Sequence, residues 1–266
     1  MRILFIGDIV GKAGRKALSS LLEGLIENEG IDFTIANGEN AAGGIGITPA
    51  IAGEILGNGV DVITSGNHIW AKKEIIPFLD EEERILRPAN YPDGAPGKGS
   101  GIFTARKGEK IGVLNVEGRV FMKSLDCPFT SAEKELMELK KEVDCTVVDF
   151  HAEATSEKMA LGWFLDGKTS AVLGTHTHVQ TSDERILPGG TAYITDVGMT
   201  GPIGSVIGIK QKIAIERFLT QMPRKFDVSS REIELQGVIL EINLHSGRSE
   251  WIRRLKVPLN EVRIGR

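Results

Sequence analysis

The feature that most constrains this chain is a recurring pattern, a short apolar run closed by polar residues, mostly beside a glycine. Ile3–Ile6 ends at Gly7-Asp8, and Phe33–Ala36 at Asn37-Gly38-Glu39-Asn40. Val60–Thr64 ends at Ser65-Gly66-Asn67-His68. Cys145–Phe150 runs into His151, and Ser170–Leu173 into Gly174-Thr175-His176-Thr177-His178. Short apolar runs bounded by turn signals predict buried strands. Helical patterns lie between them. From about Gly14 to Glu29, residues Leu18, Leu21, Leu22, Leu25 and Ile26 share one helical face. Thr48-Pro49 predicts an N-cap followed by proline at the first helical position. Ser131–Glu142, Ser156–Leu165 and the stretch around Gln211–Thr220 are also helical. Strands alternating with helices predict βαβ units and a largely parallel sheet. Two antiparallel pairs interrupt it: Ile102–Arg106 with Lys110–Asn115, and a C-terminal hairpin of Glu234–Leu244 and Glu250–Val257. Thr191–Thr195 is a further strand, and Gly198–Gly208 is expected to be a loop. There is no linker and no internal repeat. Residues 1–266 are therefore expected to form one α/β domain, a mixed sheet system with helices outside.

In α/β sheets, ligands bind beyond the carboxyl ends of strands. That is where this chain puts its metal-competent side chains: Asp8, Glu39 with Asn40, Asn67 with His68, His151, and His176 with His178. Four of the five histidines fall in these positions, and His245, in the hairpin turn, reads as surface. Taken singly, each residue has an ordinary use: Asp8 can cap a helix, Asn40 or Asn67 can close a turn, and His68 or His151 can be structural. Their joint recurrence at strand ends argues for one shared site. Carboxylate, amide oxygen and imidazole suit divalent metals such as Mn, Fe and Zn, and the lack of cysteine disfavours structural zinc. Eight candidates exceed one tetrahedral ion and suit a pair, which would activate a bridging water and clamp phosphoryl oxygens.

Composition removes other classes. With 32 Lys and Arg against 36 Asp and Glu, the net charge of −4 argues against a duplex nucleic-acid binder. The basic stretch from Arg248 reads as a solvated strand face. No apolar run approaches the ~18 residues of a membrane span, and the N-terminus reads as a strand, not as a signal peptide. The two cysteines, Cys127 and Cys145, are too few for a disulfide framework. They are expected to be buried, which fits a reducing cytoplasm. Glycine is the outlier, at 32 of 266 residues. Many glycines fall in the ligand-bearing loops, which predicts that those loops share one edge of the sheets. Gly43, Gly44 and Gly46 would let backbone approach a substrate, or would simply give a long connection its freedom.

Gly7-Asp8, Gly38-Glu39-Asn40, Gly66-Asn67-His68, the lone His151 and Gly174-Thr175-His176-Thr177-His178 resemble the signatures of the calcineurin-like metallophosphoesterases: D-x-H, G-D-x-x-D, G-N-H-[DE], a single H and G-H-x-H. Val10 stands where the first histidine belongs, Glu39 replaces the usual bridging aspartate, and Ile69-Trp70 follows Asn67-His68 where an acid is common. With the stretches His151–Lys158 and Tyr193–Gly201, these departures look like the YmdB-like subfamily of bacterial phosphodiesterases.

The resemblance implies a sandwich of two mixed β-sheets flanked by helices. It implies two metal ions, with iron the usual metal and manganese or another divalent ion an alternative. One ion would take Asp8, Glu39, Asn40 and His178, with Asn40 replacing the histidine absent at Val10. The other would take Glu39, Asn67, His151 and His176, with Glu39 bridging. His68 would be the catalytic residue, as general acid or as a stabiliser of the equatorial oxygens. Thr155 is expected to cap a helix and Glu153 to orient His151. The implied substrates are small phosphodiesters, 2′,3′-cyclic nucleotides among them. A homo-oligomer is compatible with the sequence. A different class, a regulatory protein that keeps the metal site and binds a nucleotide or partner, stays open. A (β/α)8 barrel hydrolase does not fit, because its His-x-His usually lies on the first strand.

Overall fold

The computed structural model describes residues 1–259. Its first half runs β1 (Arg2–Ile6), β2 (Asp8–Ile9), α1 (Gly11–Glu29), β3 (Phe33–Asn37), α2 (Pro49–Gly57), β4 (Val62–Thr64), a 3-10 turn (Ile69–Ala71), α3 (Ile75–Phe78), β5 (Ser100–Thr104) and β6 (Lys110–Glu117). The second half runs α4 (Pro128–Leu139), β7 (Thr146–His151), α5 (Thr155–Phe164), β8 (Ala171–Thr175), β9 (Arg185–Ile186), β10 (Ala192–Ile194), β11 (Met199–Pro202), α6 (Gln211–Thr220), β12 (Ile233–Ile242) and β13 (Ser249–Pro258).

The strands form two mixed sheets. The first has the order β2-β11-β12-β1-β3-β4, with β13 on β12; the second has the order β5-β6-β7-β8-β10-β9. In the first, β1, β3 and β4 are parallel, while β12 inserts antiparallel beside β1. In the second, β6, β7, β8 and β10 are parallel and the flanking β5 and β9 are antiparallel.

Alternate residues of the central strands enter different cores, since side chains alternate across a strand. Ile3, Phe5, Phe33 and Ile35 face Val113, Val147, Leu173 and Ile194 in the core between the sheets. Leu4 and Ile6 point the other way, onto Leu18 and Leu22 of α1 and Ile55 of α2. Leu114, Val116 and Val148 likewise meet Leu136 of α4 and Leu161 of α5. Both faces of each sheet are thus covered, which is why the strand runs are mostly apolar, with a few buried polar residues such as Thr34, Asn115 and Asp149 among them. Each such side chain contributes about 1.5–3 kcal/mol on burial.

The local signals act as expected where they are chemical. Thr48 Oγ1 accepts the Ile51 N–H at 3.3 Å, with Pro49 opening α2. α1 ends at Gly30, whose φ of 63° lets Ile31 N–H reach the Ile26 carbonyl at 3.0 Å. On β13, Arg253, Arg254 and Lys256 are exposed, as a solvated strand face requires; Arg263 and Arg266 of the same basic stretch lie outside the described residues. Three expectations are corrected. The 198–208 loop contains β11, paired parallel with β2 and antiparallel with β12; its Met-Thr-Gly-Pro composition hides a strand. Cys145 is buried but Cys127 is only half-buried, at the start of α4. Thr155 does not cap α5: Ala154 occupies that position, with no side-chain cap bond.

Candidate metal centre

The carboxyl ends of β1, β3 and β4 in one sheet and of β7 and β8 in the other meet at a common edge, as the glycine-rich loops predicted. Crossing from sheet to sheet, Glu39 after β3 approaches His151 at the end of β7, Oε1 to Nε2 at 3.2 Å. His151 Nε2 also lies 3.1 Å from Asn67 Oδ1 and 3.0 Å from His176 Nδ1. One ring nitrogen carries at most one proton, so these three contacts cannot all be hydrogen bonds. Glu39, His151 and His176 can place one donor atom each within 4.8 Å of one another.

The remaining predicted residues adjoin this cluster. Asn40 Nδ2 donates to Glu39 Oε1 at 3.0 Å and lies 3.1 Å from His178 Nε2. His178 Nε2 is 3.7 Å from Asp8 Oδ1, and its Nδ1 meets the Ile207 carbonyl at 3.0 Å. Asp8 Oδ2 accepts the His176 N–H at 3.2 Å. His68 stands at the rim: its N–H donates to Glu39 Oε2 at 3.0 Å, and its Nδ1 lies 2.9 Å from Asn40 Oδ1. All eight predicted residues are therefore brought together. Val10 has no donor atom to offer; its side chain is buried, 3% exposed, and packs beside Gly201 and Gly208.

Two observations fit a cation. Among the described residues Asp8 Oδ1 is buried without a hydrogen-bond partner, which is costly for a carboxylate with nothing to bind. The donors are carboxylate, amide and imidazole, a set suited to intermediate divalent ions. Burial raises the Asp8 carboxyl above its ordinary range, against the pull of His178 and His151. Burial acts the same way on Glu39, but His151 and His68 outweigh it and hold Glu39 well below its usual value. The reciprocal effect on His151 is that burial opposes its charge while Glu39, Asp8 and Asp149 raise it to about 9. Burial and the charge of His151 push His176 down to about 3.

A family model described as YmdB-like protein matches residues 4–255. The chain belongs to the YmdB-like family. Among its relatives, the 2′,3′-cyclic-nucleotide 2′-phosphodiesterase of Bacillus subtilis (strain 168) is 48% identical over 257 residues, 97% of each chain. A crystal structure of a hypothetical protein from Thermus thermophilus superposes with TM-score 0.91 at 42% identity, covering 97% of this chain and 99% of that one. The crystal structure of a novel phosphatase from Mycoplasma pneumoniae gives TM-score 0.91 at 34% identity, covering 97% and 93%.

In this YmdB-like chain, side chains beyond the predicted set hold the site. His151 Nδ1 is met by the Thr175 hydroxyl at 2.9 Å, and that hydroxyl donates to Asp149 Oδ1 at 2.7 Å. Asn37 Nδ2 donates to Asp149 Oδ2 at 3.1 Å. Glu153, expected to orient His151, instead reaches His176 Nε2 at 3.0 Å. The signal for Asp149 was present: an acid inside the apolar run Val147-Val148-Asp149-Phe150, where a strand buried on both faces tolerates charge only with partners.

Proposed function

We propose that this chain is a metal-dependent phosphodiesterase acting on small phosphodiesters, with 2′,3′-cyclic nucleotides the favoured class. The observation that carries the proposal is the convergence of Glu39 Oε1, Asn67 Oδ1 and His176 Nδ1 on His151 Nε2, beside an Asp8 oxygen without a hydrogen-bond partner among the described residues. The printed name of the Bacillus subtilis relative supports the substrate class.

Two ions fit the donor set better than one. Asp8, Glu39, Asn40 and His178 would hold the first, and Glu39, Asn67, His151 and His176 the second, with Glu39 shared. Iron is the metal we favour, with manganese as the alternative. Bound there, the metals supply acidified water as nucleophile near neutral pH and offset charge on the phosphoryl oxygens. The residues of the chain then have distinct tasks. Glu39 keeps its charge because it is flanked by His151 and His68, so it is ready to bind a cation throughout the neutral range. His178 and His151 are each engaged through Nδ1, which leaves Nε2 facing the centre. The Asn40 amide presents Nδ2 to Glu39 and His178, so binding through its oxygen requires the amide to turn over; Nδ2 would then face His68 Nδ1. His68 is engaged inward through Nδ1, so Nε2 is the nitrogen that would protonate a leaving ribose oxygen. We also read the chain as one domain, because β12, from its last quarter, inserts into the sheet beside β1.

Metal analysis of the anaerobically purified protein, with hydrolysis of a chromogenic phosphodiester and of 2′,3′-cyclic AMP, tests this. Wild type should hold more than about one ion per chain and hydrolyse both after Mn or Fe loading, and Glu39→Gln should lose both properties. A protein that takes up no metal and hydrolyses neither substrate would overturn the proposal.

A further inference from the structure

His176 and His178 have φ angles of 99° and 65°. A residue with a Cβ resists this left-handed region, and such a conformation persists only where the surroundings hold it. Two such residues flank Thr177, so the His-x-His segment needs an external restraint.

The restraint comes from beneath the loop. Thr177 donates both its N–H, at 3.0 Å, and its hydroxyl, at 2.7 Å, to Asp196 Oδ2. The same oxygen takes the Lys158 ammonium of α5 at 2.7 Å. Asp196 Oδ1 accepts the Gly198 N–H at 2.9 Å, and its carbonyl accepts the Thr181 N–H at 3.0 Å. Asp196 is fully buried and Lys158 is 1% exposed. An ion pair this dry is retained at a desolvation cost and is weak evidence for stability alone. The oxygen that takes the ammonium is also the one that takes both donors of Thr177, the residue between the two strained histidines. Both partners fall in the conspicuous stretches His151–Lys158 and Tyr193–Gly201, and neither is a member of the ligand set.

We propose that Asp196 and Lys158 are positioning residues that hold His176 and His178 on the metal centre: Asp196 grips Thr177, and Lys158 fixes Asp196. The proposal rests on the metal-centre reading above. A charge-only role makes the opposite prediction for Lys158, because removing a nearby cation should tighten metal binding. Removing a brace should loosen it.

The test uses the metal-free full chain and three variants, Lys158→Met, Thr177→Val and Thr177→Ser. Mn(II) binding is measured by calorimetry at a temperature where circular dichroism reports each protein folded. Amide exchange of residues 175–179 is followed in the metal-free proteins. Lys158→Met and Thr177→Val should each weaken Mn(II) binding by about tenfold and speed exchange across the loop, while Thr177→Ser, which keeps the hydroxyl, should match wild type. Tighter or unchanged binding in Lys158→Met, or wild-type binding and exchange in Thr177→Val, would overturn the proposal. If Lys158→Met does not fold, the Val and Ser variants decide it. Wild-type protein that binds no Mn(II) would bring down the metal-centre reading and this proposal with it.

Discussion

The Thr175 hydroxyl lies 2.9 Å from His151 Nδ1 and spends its own proton on Asp149 at 2.7 Å. The hydroxyl can therefore only accept from His151, so Nδ1 carries a proton and Nε2 faces Glu39. Thr175→Val keeps the shape and removes the acceptor. It should weaken Mn(II) binding by about tenfold, as loss of an orienting partner does. It should also cost about 1–3 kcal/mol of stability, because Asp149 loses a donor in a buried place. Calorimetric titration and urea unfolding read the two effects, and unchanged metal affinity would show that Thr175 does not orient the ring.

Metal uptake should release a proton. In the metal-free protein, burial disfavours the His151 imidazolium, yet Glu39, Asp8 and Asp149 raise its pKa to about 9. Because this folded value lies above the ordinary histidine value, the stabilisation is complete below about pH 6.5 and is lost as pH rises through about 9. Metal binding has the opposite slope, since a ligating imidazole must be neutral. His176, held down to about 3 by burial and by His151, is already neutral and contributes no proton. At pH 7.5, Mn(II) titrated into two buffers of different ionisation enthalpy should reveal release of about one proton per chain from this residue. Heats independent of the buffer would contradict it.

His68→Gln should separate leaving-group protonation from metal binding. The ring is at the rim, and its side chain is 33% exposed. Metal content is expected to stay at the wild-type level. Hydrolysis that expels a ribose alkoxide should slow by about 10²–10⁴-fold, the usual worth of a general acid. A nitrophenolate leaves without a proton, so a nitrophenyl phosphodiester should be much less affected. An equal loss on both substrates would move His68 from acid to oxygen stabiliser.

Two glycines offer contrasting substitutions. A methyl group on Gly66 would overlap the ring of His151, so Gly66→Ala should displace that ring and cost about 1–3 kcal/mol or more, with the loss of metal affinity expected if His151 binds the ion. Gly43 has open space around it and a φ of 70°, so Gly43→Ala meets only backbone strain, about 1–2 kcal/mol. Urea unfolding with metal titration distinguishes them. Wild-type metal binding in Gly66→Ala would mean that His151 can retreat without cost.

Much of this protein was legible because the signals were local. Strands buried on both faces are mostly apolar, and α2 shows its cap and proline in adjacent letters. The candidate site was legible for a related reason: a side chain at a strand end has few places to point, and a parallel sheet collects those ends on one edge. β11 was not legible, since Met-Thr-Gly-Pro has no β pattern and becomes a strand only by filling the gap between β2 and β12.

The sequence alone determined which residues could meet: Asp8, Glu39, Asn40, Asn67, His68, His151, His176 and His178 are set by the order of strands and turns. Only the tertiary structure decided how they are held. The grip of Asp196 on Thr177, the Thr175 hydroxyl beneath His151 and the turn of Glu153 toward His176 all join residues on different strands or loops. Hydrogen-bond partners depend on distances of a fraction of an ångström between separately folded segments. No periodicity or spacing along a chain encodes such distances, because they are fixed when the two sheets pack.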